Sequence, residues 1–82
     1  MATLPTPEET GKRILAYYGQ SNVRPGEMML LRNINIWWMN QGRRGDDLVA
    51  GLQWLGDQGF LEQKDDKSTD ALFLTESGFA AI

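Results

Sequence analysis

Residues 47–63, DLVAGLQWLGDQGFLEQ, and residues 72–78, LFLTESG, decide how this chain is read. Leu48, Leu52 and Leu55 recur at helical spacing, so they form one apolar stripe on a helix. The segment GRRG precedes that helix, Asp46 is its expected N-cap, and Gly59 is its expected stop. After Gly59 the period changes. FLEQK and ALFL are short strand-like runs on either side of DDKSTD, a cluster of turn-forming residues, and together they predict a hairpin. Thr75 then caps a short closing helix, ESGFAAI.

The first helix is predicted from about residue 7 to 18. Thr6 is its N-cap, Pro7 its first residue and Glu9 the return partner of a capping box. Glu8–Lys12 and Glu9–Arg13 are acid-before-base pairs at i,i+4, and Gly19 reads as the stop. QSNVRPGE is a loop in which Val23 is a candidate for a short strand. A second helix is expected from Pro25 or Gly26 to about Asn40, ending at Gly42. On its wheel Leu30, Leu31, Ile34, Trp37 and Trp38 share an arc of roughly 120°, which is the expected core face. Met28, Met29, Ile36 and Met39 lie on the opposite side, among Arg32, Asn33, Asn35 and Asn40.

The order helix, helix, turn, helix, hairpin, helix resembles the winged helix-turn-helix family. The residues that carry the resemblance are Leu48, Leu52, Leu55, Gly59, Phe60 and Leu61, followed by Leu74, Thr75 and Gly78 of an L-T-x-x-G closing motif. The resemblance covers roughly residues 7 to 82. It implies a mainly α fold with a small β-hairpin (α+β): a three-helix core plus a wing and a short C-terminal helix. The chain is expected to be a single domain over 1–82, with 1–6 a flexible arm.

Composition restricts the function. With 82 residues the domain buries only roughly 60% of its unfolded surface, which leaves little room for a deep cavity. The chain contains neither cysteine nor histidine. Disulfides, the usual zinc, haem and iron–sulfur ligands, and thiol- or imidazole-based catalysis are therefore outside its repertoire. Ser21, Ser68 and Ser77 lack an activating base, and the adjacent pairs Asp46–Asp47 and Asp65–Asp66 do not form enclosed acid–base sites. Phosphate-cradling glycine loops are absent from the sequence as well. The reading is a non-enzyme without metal or cofactor. MATLPTPEETGK has no signal-peptide pattern, and the apolar-rich run from Met28 to Met39 is broken by Arg32, Asn33 and Asn35, so no membrane span is expected and the expected location is cytoplasmic.

Two binding functions follow from the family resemblance and the residues. In DNA-binding winged helices the third helix enters the major groove and the wing touches the backbone, which implies duplex DNA as partner. Arg43, Arg44, Lys64 and Lys67 would then clamp phosphates, and Gln53 would read a base. The chain's net charge of −3, with Asp46, Asp47 and Asp57 on the third helix, opposes this assignment. The alternative is a protein-interaction module that docks or forms a homodimer through Trp54 and the methionine-bearing face of the second helix, with Met29, Ile36 and Met39. The letters R-G-D at Arg44-Gly45-Asp46 read as a chance occurrence in a turn.

Overall fold

The computed structural model describes residues 6–63 and 71–82. It is an α+β domain with four helices and a three-stranded antiparallel sheet. The order is α1 (Pro7–Gln20), β1 (Met28–Leu30), α2 (Leu31–Met39), α3 (Gly45–Asp57), β2 (Leu61–Glu62), β3 (Ala71–Leu74) and α4 (Glu76–Ala80). The strand order is β1-β3-β2, so the hairpin's second strand is central. The tip between β2 and β3, with Lys64 and Lys67, lies outside the described residues, as does most of the expected N-terminal arm.

α1 begins where its sequence says it should. The Thr6 hydroxyl accepts from the Glu9 backbone N–H at 3.1 Å, Pro7 opens the helix, and Lys12 lies 4.0 Å from Glu8. It runs on to Gln20 rather than stopping at Gly19, and the chain turns at Asn22, whose φ is +58°. Asparagine tolerates that left-handed region because its side chain is short and polar. Gly19 serves packing instead: a Cβ there would sit 2.9 Å from the side chain of Ile82.

The expected second helix is corrected more strongly. Residues 28–30 are a strand, and α2 starts only at Leu31. Gly26, with φ +88°, turns the chain so that its N–H donates to the Leu74 carbonyl, while the Leu74 N–H donates to the Glu27 carbonyl. Met28, Met29 and Leu30 then pair with Phe73, Leu72 and Ala71. Those ladder bonds satisfy backbone groups that a helix would otherwise have used. Val23 joins no strand; its N–H bonds to the Tyr18 carbonyl at the end of α1.

α3 differs at its start. Arg44, not Asp46, occupies the N-cap position and provides no side-chain cap, while Asp46 and Asp47 stand in the first turn, where the helix dipole favours acids. Its end is as read, since Gly59 follows the helix with φ +75°. The closing motif also has a physical account. Thr75 caps α4 by accepting from the Gly78 N–H, and its hydroxyl donates to the Gly59 carbonyl at 2.6 Å. A side chain at Gly78 would overlap the Phe60 carbonyl, so the position admits only glycine without movement of the backbone.

The core lies between α1, α2, α3 and the sheet: Ile14, Leu15, Tyr18, Ile34, Trp38, Leu48, Leu55, Leu61 and Leu74. Trp38 is fully buried and donates from its indole Nε1 to the Arg44 carbonyl at 2.7 Å, which anchors the α2–α3 turn. Tyr18 donates to the Leu72 carbonyl at 2.9 Å and ties α1 to the central strand. Burial pushes its phenol well above the ordinary range. α1 and α3 cross very closely. A side chain at Gly51 would overlap Thr10, and one at Gly11 would overlap the Trp54 ring. Thr10 is wholly buried there, and its hydroxyl has no hydrogen-bond partner.

Candidate functional site

The outward side of α3 is the surface to which the family resemblance assigns recognition. Asp46, Val49, Gln53, Gly56 and Asp57 are exposed on it, and Asp47 is half-buried. Val49 is the informative residue: 54% of this β-branched apolar side chain remains open to solvent. Beside it the chain leaves a groove of about 630 Å³ between α3, the start of α2 and the sheet. Its apolar lining comes from Leu31, Val49, Leu52, Leu61 and Leu72, and its polar lining from Gln53, Glu62 and Gln63. No lysine or arginine lines it among the described residues.

The two arginines of the turn are directed elsewhere. The Arg43 side chain donates from Nε to Gln41 Oε1 at 3.2 Å and lies 5.3 Å from the centroid of the Trp38 ring. Arg44 is exposed and stands 3.7 Å from Asp46, a solvated pair of little energetic weight. Of the residues expected to meet DNA, Gln53 alone lines the groove, Arg43 and Arg44 lie in the turn before it, and Lys64 and Lys67 fall outside the described residues.

No known protein family, curated protein or solved structure matches this chain.

The expected partner-binding residues divide into two groups. Ile36 and Met39 are exposed on α2, at 58% and 53%. Met29 and Trp54 are not free. Met29 is half-buried on β1, opposite Leu72, and packs against the core. Trp54 is also half-buried, because Gly11 leaves room for its ring on α1 and Phe60 meets it edge-on at 5.7 Å. On a helical wheel Trp54 falls at the flank of the leucine stripe of α3, and a wheel does not show which neighbouring residue lacks a side chain.

Residue-by-residue reading overlooked the role of Val49, Leu52 and Leu72 as groove walls. The available signal was Val49 on the flank of the leucine stripe. The reading also missed an aromatic pair. Trp37, expected on the core arc with Trp38, is only half-buried and stacks on Tyr17 with ring centroids 4.3 Å apart and planes 5° from parallel. Among the described residues no group of three or more acidic side chains is arranged to hold a metal ion, and no helix is long and apolar enough to cross a membrane.

Proposed function

We propose that this chain is a winged-helix domain acting as a non-catalytic binding module. Its groove between α3 and the sheet takes an apolar segment of a protein partner that carries lysine or arginine at its flanks. The order of three helices, a hairpin and a short Thr75-capped helix supports the winged-helix part of this reading.

The observation that carries the functional part is the lining of the groove. Leucines and an exposed valine form its walls, and the helix beside it carries Asp46, Asp47 and Asp57. Apolar side chains gain about 25 cal/mol per Å² when a partner removes them from water. A phosphate backbone would gain nothing from those walls and would be repelled by the aspartates, because its affinity comes from cations displacing condensed counterions. Complementary charge selects a basic rim on the partner.

The second reading, duplex DNA, is favoured by one observation: Gln53 and Arg44 are both exposed near the start and middle of α3. Two probes separate the readings. The first is a leucine-bearing helical peptide with lysine flanks, compared with its glutamate-flanked counterpart; the second is a random 24-base-pair duplex at low salt. The protein reading expects the lysine-flanked peptide to shift the methyl NMR signals of Val49, Leu52 and Leu72, with the response lost in Val49→Asp. If neither peptide moves those signals, the reading is wrong. Duplex binding that weakens steeply with salt and disappears in an Arg43→Ala/Arg44→Ala variant would replace it with the DNA reading.

A further inference from the structure

On the other side of the molecule, charge and apolar surface are combined differently. Residues 28–45 contain three of the chain's eight basic residues and none of its eleven acidic ones. They include α2 and the turn after it. Along the exposed side of α2, Arg32, Ile36, Met39 and Asn40 follow at helical spacing, and Arg43 comes just beyond. The Tyr17–Trp37 stack stands next to this row, between two shallow hollows. One hollow, about 400 Å³, is lined by Arg13, Gln20, Asn40 and Gln41 with the two rings. The other, also about 400 Å³, is lined by Met29, Asn33, Ile36 and Asn40 with the same two rings. Neither hollow has an acidic residue in its lining. Gln41 links the hollow to the turn, because it accepts from Arg43 and its amide Nε2 donates to the Trp37 carbonyl at 3.3 Å.

Planar rings, amides that can bond base edges, and arginines beside hollows whose lining holds no acid are the groups that a flexible strand of nucleotides requires. Successive bases stack on aromatic rings while cations track the phosphates. A second copy of the chain fits this face poorly in a two-fold arrangement, since two copies of one patch would face each other with no acidic residue in either hollow to pair the arginines. We propose that the α1–α2 face binds single-stranded nucleic acid, with Tyr17 and Trp37 as the stacking platform and Arg13, Arg32 and Arg43 on the phosphates. This site is separate from the α3 groove and stands or falls independently of it.

The test is fluorescence anisotropy of labelled dT12 and dA12 with the whole chain across a salt series, with light scattering in the same buffers. Three phosphate contacts on a single strand give a log–log salt slope of about −2, and each arginine removed lowers it by about 0.7. An Arg13→Ala/Arg32→Ala variant, altered only at exposed positions, should fold as before and lose most of the slope. Trp37→Leu should weaken binding by about fivefold or more, and Trp37→Phe should restore most of it. Val49→Asp, in the α3 groove, should change nothing. The proposal is overturned if neither oligonucleotide binds at low salt, or if duplex of equal length binds as tightly. Polyglutamate that competes as well as dT12, with Trp37→Leu silent, would overturn it in favour of an acidic protein surface. A dimer that protects Trp37 from quenching would overturn it in favour of self-association.

Discussion

The α1–α3 crossing and the α1–α2 side are built from similar residue types and end in opposite states. Between α1 and α3, glycines at 11 and 51 let the backbones approach until Thr10 and Trp54 fill the remaining space. On the α2 side, the helix buries Ile34 and Trp38 but leaves Ile36 and Met39 more than half open and Trp37 half-buried. The first contact contributes to stability, since interiors at crystal-like density make full use of dispersion and burial. The apolar area left on the second contributes nothing to folding until something covers it. The difference therefore separates residues required by the fold from residues available to a partner.

Four substitutions test that separation. The largest effect is expected from Trp38→Ala, on the inner side of α2. It removes a fully buried ring and the hydrogen bond to Arg44, and should cost about 3–5 kcal/mol by denaturant titration. A loss under about 1 kcal/mol would mean that α2 is hardly coupled to the core. The next is a paired glycine test within α3. Gly51→Ala should destabilise by about 1–3 kcal/mol, because its methyl group meets Thr10 and the Gly11 backbone. Gly56→Ala, with open space around it, should instead stabilise by up to ~1 kcal/mol through helix propensity. Equal signs at the two sites would show that the close crossing is not a constraint. The smallest effect is Ile36→Gln, expected within about 0.5 kcal/mol of the parent in the same titration. A larger loss would place Ile36 among the residues that hold the domain together.

Much of the helical framework was legible in local sequence, because its signals are local. Thr6-Pro7-Glu8-Glu9 marks the start of α1, the leucines at 48, 52 and 55 mark α3, Gly59 marks its end and Thr75 the start of α4. β1 was hidden because Met28–Leu30 continues the apolar spacing of the helix after it, and what makes it a strand is β3, far along the chain. Tertiary pairing overrides such short-range preference. The candidate surfaces were legible in part. Ile36, Met39 and Gln53 emerged on exposed faces as read. Trp54 and Met29 did not, because their cover comes from elements that no single helical wheel contains. The α3 groove needs walls from α2, α3 and the sheet together, and the Tyr17–Trp37 stack needs two helices to bring its rings into register.

The strand order also has a consequence for how the chain acquires its structure. Met28 pairs with Phe73 and Leu61 with Leu74, so both outer strands depend on one central strand that is synthesised after them. α1 and α3 are both synthesised before β3 and can meet earlier. The β1–β3 pairing has to wait for residues 71–74 and lies among the slow, non-local steps of folding. Until residues 71–74 arrive, Met28–Leu30 has an unsatisfied edge directly ahead of the apolar-rich run that becomes α2. A nascent chain paused before Ala71 is therefore the species most exposed to unwanted pairing with its neighbours.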